Sequence, residues 1–284
     1  MASRAPPLLE PYVRLPHESS LVLLTSVLGS STNWLVQRFV YSLLSSPPTS
    51  LHHTGGFDES IQSGENENVS VVLVSFLRDY AFWKDGVRRL GLDLDQATKK
   101  GSFAFIDGLT GLFTGHQRTG TANGTSTAPK VLSAGMDHFE VAIRNAVHHL
   151  QTSVPGAKTV LIVDQPDLLL AATEGATSQK LRAAILALRE HIHSCIITVS
   201  ADEPLIALQA STLEKEHASF ALSLAHDAGL VMSLRMLETG VAKDVSGVMR
   251  VTSGGDEGTD PVEDRELLYY IGGDGGVRVF ERGQ

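Results

Sequence analysis

The sequence predicts an α/β fold: a mostly parallel twisted sheet with helices on both faces, continued by antiparallel strands at its C-terminal end. Three observations carry this. Apolar, β-branched runs such as Val69–Phe76 and Thr159–Val163 are too uniformly hydrophobic for strands exposed on one face, and suit a sheet covered on both. Segments with apolar residues at helical spacing alternate with those runs up to about residue 237. Beyond that point, strand-like pieces follow one another with no helical pattern between them, which implies antiparallel pairing.

In order, residues 1–20 contain four prolines and read as an extended arm. Leu21–Leu24 begins the first strand. The small residues after it lead into a helix with Val36, Phe39, Val40 and Leu43 on one face. Residues 45–68 carry Pro47, Pro48, Gly55 and Gly56 and four acids without a Lys or Arg, so they read as a flexible loop. The strand Val69–Phe76 leads to a helix capped by Asp79, striped by Trp83, Val87 and Leu90 and stopped at Gly91. A third strand, Ser102–Asp107, precedes a Gly-, Thr- and Ser-rich loop expected over 114–133.

Asp137 and Glu140 resemble a capping box, and Phe139, Ile143, Val147 and Leu150 form the stripe of the helix they begin. Thr159–Asp164 is a buried strand ending in an acid. Ser178–His193 reads as a helix, Ser194–Ser200 as a strand, and the region of Leu213–Leu224 as a helix. Gly229–Leu237, Gly247–Thr252, Leu267–Ile271 and Gly275–Glu281 close the chain as strands, with an acidic flexible loop at 253–266. No linker composition or internal repeat divides the chain, so 1–284 reads as a single domain.

Composition narrows the function. A net charge of −9 argues against a broadly basic nucleic-acid surface. The single cysteine, Cys195, leaves no internal disulfide and points to a reducing compartment, the cytoplasm or also the nucleus. The first residues lack the continuous apolar stretch of a secretory leader, and no run approaches the ~20 apolar residues that span a bilayer.

The strand, small-residue loop and helix over Leu21–Leu44 have the order of a phosphate-binding motif, but not its chemistry. The pattern G-x-x-x-x-G-K-[ST] places two glycines for close backbone approach and a lysine on the terminal phosphates. Aligned on the helix start, Ser26 and Ser31 occupy the glycine positions, Thr32 the lysine position and Asn33 the Ser/Thr position. The run ending in Asp164 resembles a Walker B element, whose acid would hold Mg²⁺ through water, yet many buried strands end in Asp and no glutamate follows it. Asp164 therefore reads as structural, or as a relic of such a site.

The eleven histidines form no H-E-x-x-H motif, and His148 and His149, as neighbours on a helix, point apart. No cysteine pair and no G-x-S-x-G elbow is present. No catalytic residue, metal ligand or cofactor is assigned. The densest basic group is Arg78, Lys84, Arg88 and Arg89, read either as a solvated helix face or as a contact for RNA phosphate or an acidic partner.

Three stretches carry a resemblance: SFLRDYAFWKDGVRRLGLDL at 75–94, FAFIDGLTGLF at 103–113 and LAHDAGLVMSLRMLETGVAKDVSGVMRVT at 224–252. In order and spacing they resemble the sixth subunit of the Elongator complex, in a fungal-type version. The resemblance implies a RecA-like fold with central strands at 21–26, 160–164 and 195–200, and a family without an intact phosphate loop. It also implies a hetero-hexameric ring with the fourth and fifth Elongator subunits, attached to the catalytic subcomplex, which takes part in tRNA wobble-uridine modification and binds tRNA.

The function expected from this is a non-catalytic, ring-forming subunit, with direct protein contact in place of nucleotide between neighbours. Two alternatives stand beside it. One is an active RecA-type ATPase with a divergent phosphate loop. The other is a stand-alone tRNA-binding module.

Overall fold

The computed structural model describes residues 5–45, 68–110, 130–131, 136–237, 243–256 and 262–282. Most of the loops expected over 45–68 and 114–133, and the middle of the loop at 253–266, lie outside the described residues.

The strands are β1 Leu21–Ser26, β2 Val69–Ser75, β3 Phe103–Asp107, β4 Lys130–Val131, β5 Lys158–Asp164, β6 Ser194–Ser200, β7 Leu230–Arg235, β8 Gly247–Ser253, β9 Arg265–Ile271 and β10 Val277–Phe280. The helices are α1 Asn33–Ser45, α2 Tyr80–Arg89, α3 Leu94–Lys99, α4 Met136–Ser153, α5 Leu168–Ala172, α6 Ser178–Arg189 and α7 Thr212–Asp227, with one π-helical turn at Pro204–Leu208.

Among the described residues the strands make one ten-stranded sheet in the order β10-β9-β8-β7-β1-β6-β5-β2-β3-β4. From β7 to β4 every pairing is parallel; β7, β8, β9 and β10 pair antiparallel. β1, β6 and β5 lie side by side, as the resemblance implies.

Two hydrophobic clusters flank the sheet. One packs α1, α2 and α3 on one face, through Phe39, Trp83, Val87 and Leu94. The other packs α4, α5, α6 and α7 on the opposite face, through Phe139, Ile143, Leu169, Leu181, Leu188 and Phe220. Alternate strand residues feed the two clusters: Val22 and Leu24 of β1 one, Leu21 and Leu23 the other. This is what near-continuous apolar strands require when covered on both sides.

Several local readings need correction. The N-terminal arm is not simply extended: Leu9, Glu10 and Tyr12 close hydrogen-bonded turns, and Leu9 and Val13 are fully buried in the α1 face. Four prolines favour turns as much as extension once apolar residues beside them can be buried. The loops are narrower than their composition suggests. Lys130 and Val131 pair with β3, Ser253 ends β8 and Arg265 begins β9. α3, α5 and the turn at Pro204–Leu208 went unread because each is only five or six residues long, too short to show a period. Cys195 is wholly buried and burial pushes its thiol up to about 12, which makes it inert.

Candidate functional site

In open α/β sheets, ligands bind beyond the carboxyl ends of the strands. The loop after β1 emerges at this edge, between the ends of β6 and β7. Its residues close it down on themselves. Val27 N–H meets Ser30 Oγ at 3.2 Å and the Leu234 carbonyl at 3.3 Å. Ser30 N–H donates to the Val27 carbonyl at 2.9 Å, and Ser30 Oγ lies within 3.0 Å of the carbonyls of Val27 and Leu234. Leu28 N–H donates to Asp202 Oδ1 at 2.6 Å.

A phosphate cradle needs these N–H groups free and convergent. Here a carboxylate from the loop after β6 takes the Leu28 donor, and carbonyls take the others. Asn33 N–H, at the helix start, is also engaged, by Ser31 Oγ at 3.2 Å. Of the four positions read from the sequence, Thr32 is buried and Ser31 exposed. Ser26 continues β1 opposite Ser200, and Asn33 begins α1. Gly29, with φ +91°, makes the turn, and the loop leaves Leu28 88% exposed.

Asp164 sits two strands away, at the end of β5. It is fully buried, accepting from Ser75 Oγ at 2.7 Å and Thr198 Oγ1 at 2.9 Å. The register explains the partners: Ser75 and Thr198 lie directly opposite Asp164 on β2 and β6. Burial raises its pKa to about 6, with the two hydroxyls opposing. Both carboxylate oxygens are engaged by side chains, an arrangement that braces three strand ends.

The network continues through residues that sequence reading did not single out. Gln165, held at φ +56°, donates its N–H to Thr198 Oγ1 and accepts from Ser200 Oγ at 2.8 Å. His217 is buried, with Nε2 2.8 Å from the Ser200 carbonyl and Nδ1 3.8 Å from Asp167 Oδ2. Burial pushes Asp167 up, and His217 opposes it. The polar ends of β5 and β6 are thereby tied to each other and to α7. Only the pairing of β5 with β2 and β6 brings these residues together; nothing in their spacing announces it.

The basic group divides. Lys84 Nζ is 2.6 Å from Asp95 Oδ2, joining α2 to α3, and Asp95 also accepts from Tyr80 at 2.6 Å. Arg78 stacks over the Phe82 ring at 4.9 Å. Asp85 pairs with Arg88 at 3.6 Å, not with Arg89 as its i,i+4 spacing suggests. Arg88 and Arg89 are exposed at the end of α2, Arg89 beside the turn at Gly275. His148, His191 and His193 line a groove of about 780 Å³ at the opposite edge of the sheet, with Glu18, Arg144 and Lys158. His193 Nε2 lies 3.0 Å from the Pro16 carbonyl, and no cluster of metal-ligating side chains occurs among the described residues.

Among solved structures, the chain is similar to a KaiC-like protein from the hyperthermophilic archaeon Pyrococcus horikoshii OT3. The TM-score is 0.59 at 18% identity, over 99% of this chain and 98% of that one. That likeness shows the RecA-like fold. No curated protein sequence matches. The family model described as Elongation complex protein 6 matches residues 66–271, most of the chain, and includes β2 through β9. The chain therefore belongs to the Elongation complex protein 6 family and is an Elongator subunit built on a RecA-like fold.

Proposed function

We propose that the chain is a non-catalytic subunit of a hetero-hexameric RecA-like ring with the fourth and fifth Elongator subunits. In this reading the ring attaches to the catalytic subcomplex, supports tRNA wobble-uridine modification in the cytoplasm or nucleus, and contacts tRNA. The observation that carries it is the closed β1–α1 loop. The N–H groups of Val27, Ser30 and Asn33 are spent within the loop and on Leu234, and that of Leu28 on Asp202, while the Leu28 side chain projects into solvent. Leu208, in the loop after the neighbouring strand β6, is 68% exposed, and Leu77, after β2, is also exposed. The edge that would face nucleotide offers an apolar rim, a surface suited to another protein.

Burying a leucine contributes about 1.5–3 kcal/mol. Leu28→Ala with Leu208→Ala is therefore expected to weaken assembly with the two sister subunits about a hundredfold or more. Native mass of the mixed subunits measures this. Unchanged assembly by the double variant removes this edge from the interface, and a wild-type chain that stays monomeric among its sisters overturns the ring reading.

Arg88 and Arg89 support the tRNA part of the proposal, because they stand exposed side by side at the end of α2, Arg88 meeting Asp85 only at 3.6 Å, where Lys84 is held by Asp95 at 2.6 Å.

A further inference from the structure

The sheet ends at β10, and no described strand besides β9 pairs with it. The hairpin to β9 determines which of its groups are open. Gly272 N–H donates to the Gly276 carbonyl at 2.8 Å, and the register pairs Tyr270 with Arg278 and Leu268 with Phe280. Antiparallel ladders alternate hydrogen-bonded and non-bonded pairs. Arg278 and Phe280 therefore bond to β9, while Val277 and Val279 turn their N–H and C=O groups toward the open edge.

A groove of about 1010 Å³ is lined by all four β10 residues and by Leu268, with Pro6 and Pro7 also contributing. Pro6 and Pro7 have no N–H and therefore cannot donate to this edge. Natural sheets guard such edges with proline, bulges or several charges. β10 has no proline, and its one charged residue is Arg278, exposed and stacked over Tyr270 at 4.9 Å.

We propose that the β10 edge takes an extended segment of another protein as an additional strand, acidic at the position opposite Arg278 and apolar on either side of it. Val279 is buried in the α1-face cluster and Val277 packs against it, so the residues opposite them lie on that same apolar face. Arg278 points to the other face, where a carboxylate complements it. A second copy of this chain fits poorly: two-fold pairing through Val277 and Val279 sets Arg278 against its own symmetry mate, and like charges directly opposite are destabilising. The inference rests on the strand edge alone and stands whether or not the ring forms.

The test uses the full chain and an acetylated eight-residue peptide of alternating valine and glutamate, with alternating valine and lysine as the control. The glutamate peptide is expected to bind saturably by calorimetry and to slow amide hydrogen exchange at Val277 and Val279. Arg278→Glu is expected to weaken that binding at least tenfold and to transfer preference to the lysine peptide. Val277→Pro, which removes an open N–H but no bond to β9, is expected to lose binding. Arg278 is exposed, so its reversal carries the test even if the proline variant fails to fold. Absence of binding, binding without protection of those two amides, or indifference to the charge reversal overturns the proposal.

Discussion

Leu28 and Asp202 are joined by a hydrogen bond of 2.6 Å, from the Leu28 N–H to the Asp202 carboxylate, that ties the loop after β1 to the loop after β6. The donor is one a phosphate-binding loop offers to its anion, and the acceptor is itself an anion. Bringing phosphate to this position would set it against a carboxylate at close range, a repulsion of about 1–4 kcal/mol near a protein surface.

The purified chain is accordingly expected to show no saturable ATP binding by calorimetry. Asp202→Ala is expected to lower the thermal midpoint by a few degrees without creating ATP binding, because Val27 and Ser30 remain internally bonded and no lysine is present. Micromolar ATP binding by the wild-type chain would falsify this account of the loop.

Asp164 gives a pH dependence with a definite sign. Its folded value, about 6, lies above the ordinary 3.8, so the folded state takes up the proton first as pH falls. The stability it contributes is fully present below about pH 4 and is lost as pH rises through about 6, with a span of about 3 kcal/mol at most. Asp164→Asn keeps a neutral polar group at the site, since the Ser75 and Thr198 hydroxyls can each donate or accept. Urea unfolding at pH 5 and pH 7 is expected to show the variant gaining on the wild type at the higher pH. Parallel stabilities at both pH values would count against the buried, proton-retaining carboxylate.

The division of the basic group leads to a contrast between variants. Arg88→Glu with Arg89→Glu is expected to weaken tRNA binding by the assembled ring and to reduce its salt slope by about two. Lys84→Ala, which breaks the contact with Asp95, is expected to leave RNA affinity unchanged. Filter binding across a salt series checks both. Equal effects of the two changes would move the RNA contact away from the end of α2.

Much of the architecture is legible in the amino-acid sequence. Val69–Ser75 and Lys158–Asp164 are buried parallel strands because β-branched apolar residues leave no polar face to put in water. Asp79 caps α2 by accepting from Phe82 N–H, and Gly91 follows the helix at φ +100°, as their residue types foretell. The segments missed were short: α5 at Leu168–Ala172 and the π-helical turn at Pro204–Leu208 offer no full period to read.

The candidate site was legible only in the negative. The missing lysine and glycines at Thr32, Ser26 and Ser31 are plain in the sequence, because a motif is a local object. What occupies the loop's donors is not local. Asp202 lies 174 positions from Leu28, and the partners of Asp164, namely Ser75 and Thr198, lie 89 and 34 positions away from it. Sequence alone determined that a strand, a small-residue loop and a helix stand at the centre of an α/β sheet without phosphate-binding residues. Only the tertiary structure, by setting β6 between β1 and β5, decided that a carboxylate closes that loop and leaves Leu28 facing outward. Periodicity and motifs encode burial and local geometry, whereas the meeting of strand ends depends on the order in which the strands pair.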